Sequence, residues 1–75
     1  MSHIPNRLKE ARKAIGYSLA RVAIKSGIPH SDIRSFENGY TEPKFSELSR
    51  LAELYKVSIE FLMGDKPMEK LNFVS

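Results

Sequence analysis

Apolar residues recur along this chain at intervals of three and four, in runs separated by glycine, proline or serine. The first run, Ile4, Leu8, Ala11 and Ile15, forms one stripe and predicts a helix from Pro5 to Ile15. Pro5 suits its first position, where a missing N–H costs nothing, and Gly16 suits the left-handed residue after its end. Ser18 then reads as the N-cap of a second helix, over about residues 18–26, with Leu19, Val22, Ala23 and Ser26 facing inward. Gly27 ends it, and a third helix follows over about residues 30–38. Pro29 stands at or near the first position of that helix, Ile33 and Phe36 form its inner face, and Asn38-Gly39 closes it.

After a loop, Phe45, Leu48, Leu51, Ala52 and Tyr55 make the most amphipathic stretch, a fourth helix. Ser58 caps a fifth, Ile59 to Met63, ended by Gly64. No segment alternates apolar and polar residues between turn signals, so no strand is expected. The pattern predicts an all-α fold: a compact five-helix domain over residues 1–64. Residues 65–75 are expected to form a tail, or a linker to a further or dimer-packing segment.

Composition narrows the picture. Apolar residues are 41% of 75, too many for a disordered tail, and the length allows one small domain. The absence of cysteine excludes disulfides and thiolate metal sites, so packing and helix caps must hold the fold. The longest apolar runs are three residues, and the first six residues contain no apolar core of a leader. A soluble, cytoplasmic protein without membrane contact is the expectation. Net charge is +3, but it is unevenly placed. Residues 1–44 carry eight Lys/Arg against four Asp/Glu, whereas residues 45–75 carry four against five. The basic half suits a polyanion, although a fluctuation of surface charge would look the same.

The chemistry concentrates around Gly27. Two short helices joined by a tight glycine turn cross at a steep angle, and the second projects as a ridge that fits the major groove of DNA. With Ile28, Ile33 and Phe36 turned inward, His30, Ser31, Asp32, Arg34 and Ser35 are left to solvent, and all five can hydrogen-bond. His30 and Ser31 are neighbours and diverge on a helix, which is wrong for a nucleophile–base pair, so no enzyme is expected. His3 is the only other histidine, so neither metal nor cofactor is expected.

The ordered set Arg7-Leu8-Lys9-Glu10-Ala11-Arg12, Gly16-Tyr17-Ser18, Val22-Ala23, Gly27-Ile28, Ile33 and Phe36-Glu37-Asn38-Gly39 resembles the lambda-repressor/Cro-like helix-turn-helix family, the Xre group. Pro43, Phe45, Leu48, Leu51-Ala52, Val57-Ser58 and Phe61-Leu62 continue the likeness, which covers about residues 4–64.

The resemblance implies a sequence-specific, double-stranded DNA-binding transcriptional regulator, a repressor that binds paired half-sites as a homodimer. It implies a part-buried ion pair of Arg12 with Glu37 that fixes the recognition helix. It also puts base reading at His30, Ser31 and Ser35, with Arg34 and Asp32 beside them. Arg34 suits guanine or a phosphate, whereas Asp32 suits cytosine or serves only as a charge at the helix start. Phosphate contacts are expected from Ser18, Asn38, Tyr40 and Lys44, with Arg7 or Arg21 adding charge.

Two positions depart from the family pattern. Relatives commonly carry glutamine where Leu19 stands and Ser or Thr where Pro29 stands. Apolar residues in excess of one small core, Leu54, Ile59, Phe61 and Met63, predict a dimer interface. Two other readings stay open: an antitoxin-type regulator that also binds a toxin or antirepressor protein, or the DNA-binding part of a longer repressor or peptidase-fused regulator.

Overall fold

The first helix, α1, runs from Ile4 to Ile15 with Pro5 in its opening turn and Arg12 and Lys13 in its last turn, where cations favour the helix dipole. It begins one residue earlier than the apolar spacing alone predicts. The structure, a computed structural model, describes residues 3–64. Helix α2 (Leu19–Ser26) is capped by the Ser18 hydroxyl, which accepts from the Arg21 amide at 3.1 Å. Helix α3 spans His30–Asn38. Pro29 is its N-cap rather than its first residue, and the Pro29 carbonyl accepts from the amides of Asp32 and Ile33.

Helix α4 (Phe45–Tyr55) starts where the Glu47 carboxylate accepts from the Lys44 amide at 2.8 Å, one half of a capping box. Helix α5 (Ile59–Leu62) is a single turn under the Ser58 hydroxyl, which accepts from the Phe61 amide at 3.0 Å. Met63, expected inside that helix, is its C-cap. Among the described residues there are five helices and no strand.

Helix α1 packs against α3, α4 and α5, and α2 packs against α3 and α4. Their shared core is Leu8 and Ala11, Val22, Ile33 and Phe36, Leu48, Leu51 and Tyr55, and Phe61 and Leu62, completed by Ile28 and Val57 from the turns. Removing the side chain of Leu8 or Leu51, both almost without exposed surface, would cost about 2–5 kcal/mol through lost burial and the cavity left behind.

Two expectations about apolar residues are corrected. Phe45 shares the helical spacing of the α4 stripe but is 70% exposed. It is the first residue of α4, and helical side chains lean toward the N-terminus, so its ring extends past the end of the core. Phe61, expected at a subunit interface, is fully buried in the core of its own chain. The Arg7 guanidinium lies over its ring, 4.7 Å from the centroid, and also pairs with Glu10 at 3.5 Å. These contacts tie Arg7 to α5 and to its own helix.

Candidate nucleic-acid interface

The angle between α2 and α3 is set first by the Ser26-Gly27-Ile28 turn. Gly27 takes a left-handed conformation, φ 76°, which residues with a side chain rarely adopt. The Ser26 hydroxyl accepts from the Ile28 amide at 3.1 Å, closing the turn from within. Arg50, on α4, donates from Nη1 to the Ser26 carbonyl at 3.0 Å and holds the turn from outside. The side chains of Val22, Ile28 and Ile33 then anchor it in the core.

A second clamp lies at the far end of α3. The Arg12 guanidinium donates from Nε to Glu37 Oε2 at 2.7 Å and from Nη2 to Oε1 at 3.0 Å, a bidentate pair. Its Nη1 donates to the Tyr17 carbonyl at 2.9 Å, so one buried side chain ties α1 to both α3 and the turn before α2. The hydrogen bond to Glu37 raises the Arg12 pKa above its usual value, against the effect of burial, so the guanidinium stays charged. The buried phenol of Tyr55 lies within the field of this pair and has no hydrogen-bond partner among the described residues. Burial first, and then the charge of Glu37, push its pKa above the ordinary tyrosine value.

Held in this way, α3 presents a polar stripe. His30, Ser31, Arg34, Ser35 and Asn38 line one open groove with Tyr40. Tyr40 reaches it because Gly39, φ 79°, turns the chain back and the Tyr40 amide donates to the Ser35 carbonyl at 3.0 Å. All of these side chains are exposed except Ser35, which is half-buried. Hydroxyls, an amide, an imidazole and a guanidinium on one ridge supply both donors and acceptors, the equipment needed to read base edges.

Asp32 does not line this groove. It is exposed in the first turn of α3, where a carboxylate favours the helix dipole. Ser18 and Lys44 also lie outside the lining, each exposed at the N-cap of its helix. Leu19 is half-buried and packed on the core, as an apolar residue at the start of α2 can be and a glutamine there need not be. Of the residues expected at a dimer interface, Ile59 is half-buried and Met63 exposed. Leu54 faces a different groove from Ile59, among Tyr17, Lys25 and Arg50.

Sequence reasoning turned Ser26 inward but missed its turn-closing hydrogen bond, and it missed Arg50 altogether. A serine directly before the turn glycine is a recognisable turn-closing signal. Arg50 carries none, because its partner is a backbone carbonyl 24 residues away. Among the described residues, no group of His, Asp and Glu is arranged to hold a metal ion, and no helix is long and apolar enough to cross a membrane.

The helix-turn-helix family model HTH_3 matches residues 8–62. The HTH-type transcriptional regulator ImmR of Bacillus subtilis (strain 168) is 36% identical over 66 residues, covering 88% of this chain and 52% of ImmR. The chain thus spans about half the length of that relative. Among solved structures, the biofilm master regulator SinR in complex with DNA superposes with a TM-score of 0.75 at 33% identity, covering 79% of this chain and 95% of that one. A complex of SinR with SinI gives 0.76 at 33% identity, covering 80% and 59%.

Proposed function

The chain belongs to the HTH_3 helix-turn-helix family, and from that membership we propose that it is a transcriptional regulator that binds duplex DNA by inserting α3 into the major groove. One observation carries the reading. Six hydrogen-bonding residues, His30 to Tyr40, line a single groove on a helix clamped at both ends. A reader must hold its side chains in register before it meets DNA, and the Arg12–Glu37 and Arg50–Ser26 contacts supply that rigidity.

In this reading His30, Ser31, Arg34 and Ser35 contact base edges. Ser18, Asn38, Tyr40 and Lys44 contact phosphates, and Asp32 serves the helix start. The two helix N-caps, Ser18 and Lys44, suit phosphate because the positive end of a helix dipole lies there beside a polar or cationic side chain. Binding is by a homodimer on paired half-sites, with Ile59 and Met63 at the subunit contact. Phe61, buried in the core of its own chain, is left out of that contact. The protein is a repressor in the cytoplasm and has no catalytic activity of its own. Support for the last point comes from relatives such as ImmR, which are named as transcriptional regulators.

Titration against selected and random duplexes at several salt concentrations tests this. A selected site should bind about 10³-fold or more tighter than random sequence, and this ratio should survive added salt. Equal affinity for every duplex, vanishing with salt, would leave only a phosphate-binding role, and no binding would overturn the proposal.

A further inference from the structure

A second groove forms where the C-terminal ends of α2 and α4 meet the turn after α1, and it shares no residue with the α3 groove. Tyr17 and Leu54 are half-buried against the core and give it an apolar floor. Around that floor stand Lys25, Arg50 and Lys56, with Glu53 as the single carboxylate among the described residues of the lining. The Lys25 ammonium sits 5.7 Å from the centroid of the Tyr17 ring, and Arg50 is anchored through the Ser26 carbonyl. The ion pairs among the described residues join Arg7 to Glu10 and Arg12 to Glu37, so among those residues none of the three cations is paired with a carboxylate.

Lys56 adds a separate observation. After α1, α2 and α3 the left-handed position that ends the helix belongs to Gly16, Gly27 and Gly39, but after α4 it belongs to Lys56, at φ 61°. A side chain there meets a steric cost that glycine avoids. The sequence nevertheless keeps an ammonium at the edge of this groove.

We propose that the groove docks an acidic segment of a protein partner. Carboxylates of the segment meet Lys25, Arg50 and Lys56, while one of its apolar side chains lies on Tyr17 and Leu54. An apolar floor inside a charged rim is the anatomy of a protein contact. A DNA backbone needs the cations but gains nothing from the floor. Because the two grooves share no lining residue, the partner and DNA bind without competing for side chains.

The test uses the isotope-labelled chain in NMR titrations with a short helical peptide bearing Glu on one face and Leu on the other. Amide shifts should fall at Tyr17, Lys25, Leu54 and Lys56 and spare residues 30–40. Lys56→Gly should melt higher than the parent, which separates loss of binding from loss of fold. Combined with Lys25→Glu it should weaken the peptide by about tenfold while leaving duplex affinity within about twofold.

Shifts confined to residues 30–40, no shifts at all, or equal binding by the combined variant would overturn the proposal. Equally tight binding of a Glu/Ser peptide of the same charge would overturn it too, by removing the role of the floor. Two further outcomes would assign the groove elsewhere and also refute it. One is a loss of duplex affinity in the combined variant, which would point to nucleic acid. The other is weakened self-association of that variant in sedimentation without peptide, which would point to a second copy of the chain.

Discussion

Arg12 and Glu37 stand 25 residues apart in sequence and meet through two hydrogen bonds of 2.7 and 3.0 Å, with both side chains almost wholly withdrawn from solvent. A pair this buried is poor evidence of net stabilisation, because desolvation offsets the attraction. Its effect is geometric: it fixes where α3 leaves α1.

Glu37→Gln removes one charge and strands the other. The variant should lose about 3 kcal/mol of stability, since Arg12 would remain buried without a counter-charge. Denaturant melts check this. Arg12→Met combined with Glu37→Met should lose clearly less, and DNA affinity should still fall, because the lock on α3 is gone. If the double variant is as unstable as Glu37→Gln alone, desolvation is not the reason.

Tyr55→Phe should be neutral or stabilising by up to about 1 kcal/mol, because it removes a buried hydroxyl that has no partner among the described residues. The same phenol gives an alkaline signature. Its pKa is raised in the folded state, so the native chain holds the proton after the unfolded chain has released it. The resulting stability is complete below about pH 10 and is lost as pH rises further. Melts across that range should fall more steeply for the parent than for Tyr55→Phe; parallel curves would show that the phenol does not contribute.

Readers and clamps should separate in binding assays. Ser35→Ala or His30→Ala should relax preference at single base positions by about 1–3 kcal/mol. Lys44→Ala should weaken all duplexes alike and lower the salt slope by about one. A changed sequence preference in Lys44→Ala would reverse the assignment.

Leu19→Gln should tighten DNA binding several-fold, because an amide at the start of α2 can bond a phosphate where an isobutyl group cannot. It should also cost up to about 1 kcal/mol of stability, since Leu19 packs on the core. Unchanged affinity would show that the start of α2 does not approach the backbone.

Much of this was legible in the residues. Ser18, Gly27 and Gly39 mark helix ends by local chemistry that a sequence displays directly. The polar face of α3 follows once Ile33 and Phe36 turn inward, and the stripe that forms the groove is then a matter of helical spacing. What stayed hidden depends on distance or on neighbours. Phe45 fits the period of α4 but lies beyond the edge of the core, and periodicity does not show where a core ends. Phe61 looked surplus because an apolar count cannot foresee that Arg7 covers its ring. Asp32 differs from the residues that line the α3 groove only by its angle around the helix axis.

The bond from Arg50 to the Ser26 carbonyl bears on how the reading head comes into being. Both helices of the motif precede Arg50 in the chain, so a fragment that stops before residue 50 holds the helix pair without the brace that sets its opening. The same holds for a graft: residues 18–38 moved to another scaffold would carry the reading side chains without the hand that holds them at the right angle.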